Sequence, residues 1–235
     1  DASEEDFNLT NASIGSIFNL NPNLSLSVNL SHIERAPAMN ELYIYGEHHA
    51  TETIEQGDRN LKKEKSNGID TIIAWQDGKT MLSFSPFYTR FDDYIAELNT
   101  GTVQYHEHEG EEEALPVYQY QSVPADYYGY EFVERRRITT NYTADVWGDY
   151  VRGKNRDGGD LPIMPAMRIG TGHNDQWNRF NAGVEGMYVF EQDKLAENEY
   201  KTDDYIDISA HVSYALPIEA NIILSVKGTN LLDRT

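Results

Sequence analysis

Residues 203–228 read DDYIDISAHVSYALPIEANIILSVKG, and this stretch shows the pattern that decides the fold. From Ile206 to Leu216 every second residue is apolar or aromatic, and the residues between them are mostly polar; the same period resumes from Ala220 to Gly228. Successive side chains of a β-strand point to opposite faces, so a period of two predicts strands with one apolar and one polar face. The Leu216–Glu219 segment between them predicts a tight turn.

Three further segments repeat this alternation, and clusters of Gly, Asn, Asp and Pro separate them: Leu24–Leu30, Tyr142–Tyr150 and Phe180–Phe190. Five concordant segments predict an all-β chain. The apolar positions are often small, and they end in aromatic residues such as Tyr142 with Tyr150, or Phe180 with Tyr188 and Phe190. Lipid-facing strands of a transmembrane barrel have this character, with aromatic girdles at headgroup level. The alternative is an ordinary aromatic core in a soluble β protein.

Composition excludes several classes of function. The 235 residues carry 39 Asp+Glu against 19 Lys+Arg, a formal charge of −20, which excludes nucleic-acid binding by phosphate neutralisation. There is no cysteine, so disulfides, thiol chemistry and Cys-ligated zinc are excluded, and a metal site has to use His and carboxylates. The sequence begins at Asp1 without a signal peptide, so we expect a mature protein or an excised piece.

The lengths of the connections support a membrane barrel. Reading about ten strands, every second connection is short, as in outer-membrane barrels with short periplasmic turns and long extracellular loops. The short connections are predicted at residues 21–23, 76–79, 134–136, 173–176 and 216–219, and the longer ones at 36–65, 97–116, 153–163 and 192–202. Lipid cannot solvate unpaired strand edges, so the strands have to close into a barrel, alone or with others. The chain stops at Thr235 without a final strand that ends in an aromatic residue, which favours a fragment.

Several motifs resemble one superfamily in order and spacing across nearly the whole chain. The motifs are Arg35-Ala36-Pro37, Glu41-Leu42-Tyr43, a His-bearing loop, residues 60–67 (NLKKEKSN), residues 84–95 (FSPFYTRFDDYI) and residues 228–233 (GTNLLD). Together they resemble the C-terminal barrel half of TonB-dependent outer-membrane receptors. The resemblance implies a bacterial outer-membrane location and places residues 1–235 in a partial barrel domain that lacks the plug domain and the last strand.

Within that superfamily the chain is most similar to zinc-uptake receptors of the ZnuD type. The segments that carry this similarity are residues 41–43, 46–51 (GEHHAT), 127–131, 148–153 and 190–196. The similarity implies a 22-stranded barrel occluded by a plug, with import energised by the TonB complex through the plug segment. Zn²⁺ is then a transported substrate rather than a catalytic cofactor, and the chain is not an enzyme.

Two His-bearing loops are candidate metal sites. The first contains Glu47, His48 and His49, of which His48 takes the position that matches the ZnuD type. The second contains His106, Glu107, His108 and Glu109 in an acidic run. Imidazole nitrogen and carboxylate oxygen bind Zn²⁺ when thiolate is absent, but the same donors accept Ni, Cu and Co. For both loops the alternative is a solvated surface segment; an acidic loop can also bridge cations bound to lipopolysaccharide.

Other histidines and other functions carry less weight. We expect His173 in a tight turn and His32 at the end of a strand on its apolar side, both in structural roles. His211 lies on the polar side of its strand, where it is either a lumen-facing ligand or a hydrogen-bonded wall residue. With Ser209 or Ser213 it has the ingredients of an outer-membrane hydrolase, but no third orienting group is identifiable. A receptor for a siderophore or other organic chelate is the main alternative, although a −20 field repels anionic chelates.

Overall fold

The structure is a computed structural model that describes residues 6–108, 111–197, 199–218 and 220–233. In these ranges it contains twelve strands and one short helix. The elements are β1 (Ala12–Asn21), β2 (Leu24–Arg35), α1 (Met39–Tyr43), β3 (Tyr45–His48), β4 (Thr53–Gln56), β5 (Glu64–Gln76), β6 (Thr80–His108), β7 (Glu111–Arg137), β8 (Tyr142–Asn155), β9 (Arg168–Trp177), β10 (Phe180–Val189), β11 (Tyr205–Ala215) and β12 (Ile223–Gly228).

Ten of these strands form one continuous sheet in the order β1-β2-β5-β6-β7-β8-β9-β10-β11-β12. Every neighbouring pair along this path is antiparallel. The prediction of an all-β, antiparallel barrel portion is confirmed, and each of the five alternating segments forms a strand. Among the described residues, no helix is long and apolar enough to cross a membrane.

The alternation of the sequence becomes two chemically different faces of this sheet. One residue from each of the nine strands β1, β2 and β5–β11 forms a continuous cross-strand row on the apolar face, comprising Phe18, Leu26, Ile73, Phe84, Phe132, Gly148, Ile169, Tyr188 and Ile206. Large side chains in this row stay exposed, with Phe18 at 50%. The opposite, polar face carries ion pairs such as Asp149 with Arg168. An exposed apolar face backed by a polar one is the arrangement of a lipid-facing barrel wall.

Aromatic residues mark both ends of the apolar face. Trp75 and Tyr142 lie near the short turns, whereas Tyr88 pairs with Tyr128 towards the long connections. Trp75 on β5 lies opposite Leu82 on β6, and Leu82 precedes Tyr88 on β6 by six residues. At roughly 3.3 Å per residue this spacing is about 20 Å of strand, close to the height of an apolar membrane band.

Two of the predicted short turns are misplaced. The predicted turn at residues 134–136 is wrong because β7 continues to Arg137, and the turn occupies residues 138–141. The three arginines that end β7 resemble a polar turn in sequence, yet they extend the ladder at the water-facing end of the strand. The predicted turn at residues 173–176 is also wrong: His173 lies inside β9, and the chain turns at Asn178 and Arg179, where Asn178 has a left-handed φ of 56°.

The predicted long loop at residues 97–116 is instead an extended β-hairpin. The β6–β7 ladder continues past the bulges near Asp92 and Thr100 to the pairing of His108 with Glu111. The neighbouring strands do not extend alongside this hairpin. β5 pairs with β6 only as far as Phe91, and β8 pairs with β7 only as far as Ala125. The β6–β7 hairpin therefore projects beyond the barrel wall at the end with the long connections, which we call the loop end.

The long connection at residues 36–63, which we call the capping loop, covers this projecting hairpin. It contains α1 and a small hairpin of β3 and β4, and β4 adds to β7 in parallel through the pairing of Ile54 with Val117. Gly57 lies against the backbone of Leu42, where an added Cβ would come within 2.6 Å of a backbone atom, and its N–H donates to the Ile44 carbonyl. Only glycine permits this close return of the chain to α1.

The Arg-Ala-Pro and Glu-Leu-Tyr motifs meet at the root of the capping loop. The Arg35 guanidinium donates from Nη1 to both carboxylate oxygens of Glu41, at 3.1 and 2.9 Å, and from Nη2 to Glu64 at 3.2 Å. Glu41 also accepts the backbone N–H of Ala38 at 2.6 Å, at the start of α1. One arginine thus ties the capping loop to the ends of β2 and β5.

The two faces of the barrel wall predict opposite tolerance to charge. Val28→Arg on the apolar face should lower the free energy of unfolding of the barrel in bilayers by about 2–4 kcal/mol, because a guanidinium enters the hydrocarbon. Ser27→Arg, on the polar face of the same strand, is the matched control and should be nearly neutral. Equilibrium urea unfolding measures both, and equal destabilisation would contradict the assignment of faces.

Replacing Arg35 should destabilise the capping loop locally rather than the whole barrel. Arg35→Met should destabilise the capping loop by about 1–2 kcal/mol, since the lost hydrogen bonds involve charged groups but the arginine is partly exposed. The amides of Leu42 and Ile44, which bond within α1, should then exchange with solvent about 5–30 times faster. Lys62→Met in the same loop removes an exposed cation and should leave their exchange rates unchanged, as measured by hydrogen–deuterium exchange.

Candidate metal centre

The buried apolar residues of the described chain all lie at the loop end, because both faces of the barrel wall are exposed. Two small clusters fix the capping loop: Leu42 and Leu61 pack with Ile95, and Ile54 packs with Leu115 and Val117. A third cluster joins Ala96, Val123 and Ala125 to Leu161, from the connection between β8 and β9. The His-bearing tip of the capping loop is therefore attached to a packed base.

His48 ends β3 with its ring held between two partners. Nδ1 lies 2.8 Å from Thr51 Oγ1, and Nε2 lies 3.9 Å from Oε1 of Glu55 on the paired strand β4. When the proton is on Nδ1, the ring donates to Thr51, and Nε2 presents its lone pair towards Glu55. Holding one ring nitrogen while the other is left for a ligand is the usual second-sphere arrangement of a metal-binding histidine.

Glu47 and His49 form a separate pair. Nδ1 of His49 lies 2.9 Å from Oε1 of Glu47, and the His49 side chain is 80% exposed. The adjacent histidines therefore have different surroundings: His48 is 47% exposed beside a Glu55 side chain that is only 14% exposed, whereas His49 is on the rim. Of the two, His48 is the less exposed.

Glu97 on β6 joins this neighbourhood, although nothing in the sequence places it there. It pairs across the ladder with Tyr120, while Glu55 pairs with Tyr118, so Glu55 and Glu97 lie on one face of the projecting hairpin. Oε1 of Glu97 is buried and has no hydrogen-bond partner. Burial raises the pKa of the Glu97 carboxyl, the negative charge of Glu55 raises it further, and His48 opposes the rise.

The same local excess of negative charge affects the hydroxyl group of Tyr120. Burial raises the pKa of the Tyr120 hydroxyl, and the charges of Glu97, Glu55 and Glu41 add to the shift. Arg35 neutralises Glu41, but within the described part of the chain no Lys or Arg forms an ion pair with Glu55 or Glu97. Sequence reasoning missed Glu55, Glu97 and Tyr120, because their proximity depends on the parallel docking of β4 against β7.

The structure thus describes the side chains of the first His-bearing loop, whereas those of the second lie largely outside the described residues. Among the residues that the structure does describe, no three His, Asp or Glu side chains are arranged to hold a metal ion. The backbone positions of His106, Glu107 and His108 pair with Glu113, Glu112 and Glu111 in the β6–β7 ladder. Glu109 and the side chains of residues 106–112 lie outside what the structure describes.

His211 lies on the polar face of β11, as predicted, between Gly183 and Lys227 of the neighbouring strands. Its Nε2 lies 3.0 Å from the side-chain oxygen of Asn181. The described contacts of His211 thus involve Asn181 rather than Ser209 or Ser213, so the geometry gives no support to a Ser–His hydrolase.

The two remaining histidines are wall residues. His32, near the end of β2, lies 2.9 Å through Nδ1 from the side-chain oxygen of Asn67. His173 lies on the apolar face of β9, level with Ala144 and Val184, and its Nδ1 lies 2.6 Å from the Tyr142 hydroxyl. His173 was predicted in a turn, and the correction places it in the girdle near the short turns, where the Tyr142 hydroxyl satisfies its polar ring.

Several solved structures of receptors and transporters share the architecture of this chain. The solved structures to which the chain is similar include the copper transporter OprC, at 22% identity over 96% of this chain and 34% of OprC, with a TM-score of 0.79. A variant of the ferric enterobactin receptor PfeA from Pseudomonas aeruginosa aligns at 17% identity over 95% of this chain and 35% of that chain, with a TM-score of 0.72. The siderophore receptor PirA from Acinetobacter baumannii aligns at 16% identity over 95% of this chain and 37% of that chain, with a TM-score of 0.69.

These similarities establish the fold and its context. At these identities they show the fold alone, and the chain spans about a third of the length of each solved structure. A sequence profile of the family described as TonB dependent receptor-like, beta-barrel matches residues 1–231. The chain therefore belongs to the TonB-dependent receptor β-barrel family, whose members are proteins of the bacterial outer membrane.

Proposed function

We propose that this chain is the barrel portion of an outer-membrane receptor that imports zinc or a related divalent metal ion. The observation that carries the proposal is the position of His48, whose Nε2 is 3.9 Å from Glu55 in a loop that packs against the barrel. The formal charge of −20 raises the local concentration of cations at such a loop. Glu47, His49 and the acidic run from His106 to Glu109 then act as outer capture groups.

The proposed partners follow from the same fold. Import against a gradient requires the TonB complex, acting through a plug segment of the full-length receptor. The apolar face contacts outer-membrane lipid, and its loop-end rim contacts lipopolysaccharide. The role is binding and transport rather than catalysis, so zinc is a substrate, and the chain supplies only part of its coordination sphere.

A siderophore or other metal chelate is the second candidate substrate. Aromatic and cationic groups at the loop end favour it: the Arg59 guanidinium lies 5.3 Å from the centre of the Tyr43 ring, and Tyr45 and Tyr200 are largely exposed. Aromatic and arginine contacts suit an organic anion, but the excess of negative charge opposes its approach.

Zinc affinity tests the proposal directly. Calorimetric titration of the full-length receptor in detergent should show saturable zinc binding, and replacing both His48 and His49 by Ala should weaken it at least about tenfold, as loss of a ligand set does. Of the single variants, His48→Ala should account for most of the loss, because His49 is on the exposed rim. His173→Ala, far from the loop end, should bind zinc with the affinity of the unaltered receptor.

The same titration with cobalt and with a ferric siderophore separates the candidates. Zinc binding that depends on His48, with cobalt as a weaker substitute, supports an ion importer. Heat from the siderophore but none from zinc would retain the receptor and reject zinc as its substrate. Unchanged affinity in the double variant would remove the capping loop from the site.

A further inference from the structure

The apolar, lipid-facing side of the wall ends in a polar row at the loop end. Five residues that pair across β2, β5, β6, β7 and β8 form this row, which we call the headgroup row: His32, Asn67, Arg90, Asp126 and Lys154. Residues two apart on a strand share a face. The headgroup row is therefore on the same side of the sheet as Leu30, Ile69, Tyr88 and Tyr128, which lie two residues nearer the short turns.

The headgroup row lies at the level of the lipid phosphates. Arg90 follows Tyr88 by two residues on β6, which is about 7 Å along the strand and somewhat less along the membrane normal, because barrel strands tilt. The polar headgroup layer on each side of a bilayer is about 5–8 Å thick. With Tyr88 and Tyr128 in the aromatic girdle, the row that follows them faces this layer.

Two cations of the headgroup row keep an uncompensated charge. Arg90 and Lys154 are exposed, and within the described part of the chain neither forms an ion pair. Asp126 lies between them in the row, but its carboxylate already has partners. Its Oδ1 accepts the Tyr88 hydroxyl and Nη1 of Arg156, each at 2.9 Å. Arg156 thus neutralises Asp126, and the two flanking cations leave a local positive excess.

Neighbouring ion pairs leave this excess in place. Asp160 is paired with Arg152 at 2.8 Å, and Glu34 is paired with Lys63 at 2.7 Å. The acidic run that begins at His106 lies roughly 50 Å of strand beyond the row on β6. That distance is several Debye lengths at physiological salt, so its field is largely screened at the row. The row is therefore locally basic although the chain carries a formal charge of −20.

We propose that Arg90 and Lys154 bind a phosphate group of lipopolysaccharide, the glycolipid of the outer leaflet. Two inter-strand spacings, about 9–10 Å, separate their backbones, and their long side chains can converge on one phosphate in front of the neutralised Asp126. Guanidinium binds phosphate oxygens in a bidentate manner, and the ammonium adds a point charge. The row is continuous with the lipid-facing side, which favours a phosphate anchored in the membrane over a free anion. The inference rests on the proposed contact of the rim with lipopolysaccharide and names the residues that make it.

Binding of lipid A, the phosphorylated anchor of lipopolysaccharide, to the full-length receptor in detergent tests the inference. In a titration followed by native mass spectrometry, the double variant Arg90→Gln with Lys154→Gln should bind diphosphoryl lipid A at least about tenfold more weakly, since each cation near an anionic lipid surface strengthens binding about fivefold. The charge-preserving pair Arg90→Lys with Lys154→Arg should stay within about threefold of the unaltered receptor.

A matched control removes the same two charges at the opposite end of the barrel. Arg179 and Lys79 are exposed in short turns, and the double variant Arg179→Gln with Lys79→Gln should bind lipid A within about twofold of the unaltered receptor. An equal loss of affinity in this control would reduce the effect to net charge and overturn the inference.

The chemistry of the ligand separates a lipid phosphate from other occupants. Lipid A without its phosphates should bind the unaltered receptor as weakly as diphosphoryl lipid A binds the Arg90→Gln, Lys154→Gln variant; equal binding of both forms would overturn the inference. Inorganic phosphate at the same concentration should not displace lipid A, because it lacks the acyl chains that hold the ligand beside the apolar face. Displacement would assign the row to a free anion and overturn the inference as well.

The outcomes also separate this inference from the proposed function. Lipid A binding that is unaffected by Arg90→Gln with Lys154→Gln would overturn the headgroup row while leaving the contact of the rim with lipopolysaccharide. Absence of lipid A binding by the unaltered receptor would overturn both. Zinc calorimetry of the same double variant should match the unaltered receptor, because both residues lie outside the capping loop. A loss of zinc affinity would show that the substitutions disturb the whole loop end and would overturn the assignment.

Discussion

Backbone hydrogen bonding in lipid is the constraint on which the rest of this structure depends. Hydrocarbon solvates neither N–H nor C=O, so each strand that crosses it has to pair with a neighbour on both sides, as β2 and β5–β11 do here. The constraint ends with the lipid, and β6 and β7 continue past Phe91 and Ala125, where β5 and β8 no longer pair with them. In water their edges and apolar faces still need cover. The capping loop supplies it by adding β4 to β7 and by packing Leu42, Ile54 and Leu61, so the same extension that creates the hairpin also fixes the His-bearing tip.

The wall of the barrel could be predicted from the sequence because a period of two is a local property. Leu26 and Val28 face one way and Ser25 and Ser27 the other, whatever the neighbouring strands are. The positions of the turns are harder to predict from the sequence. The arginines at the end of β7 resemble a turn although they pair in the ladder. The turn at Asn178 depends on a left-handed φ, which becomes visible only in the structure. The acidic end of the β6–β7 hairpin resembles a solvated loop in composition, and its strand character comes from pairing with the other half of the hairpin.

The candidate site, too, could be predicted from the sequence only in part. The His48–His49 pair could be singled out from its place in a loop of a chain without cysteine, which leaves few other metal donors, and the preference for His48 follows from the resemblance to ZnuD-type receptors. Glu55 and Glu97 could not, since one carboxylate among 39 acidic residues has no local signature. Glu55 lies 3.9 Å from His48 within the small β3–β4 hairpin, whereas Glu55 and Glu97 come to lie on one face only after β4 has docked in parallel on β7, a pairing between segments about sixty residues apart. The fold is shared with a copper transporter and with a receptor of ferric enterobactin, so the fold alone does not identify the substrate.

X-ray absorption at the zinc edge of the zinc-loaded, full-length receptor tests the central claim most directly. The account predicts a first shell of nitrogen and oxygen only, near 2.0–2.2 Å, with the outer-shell scattering of one imidazole. Carboxylates should make up most of the remaining shell, and the imidazole signal should disappear in His48→Ala. A sulfur shell near 2.3 Å, or a spectrum that His48→Ala leaves unchanged, would contradict the assignment of the metal to the capping loop.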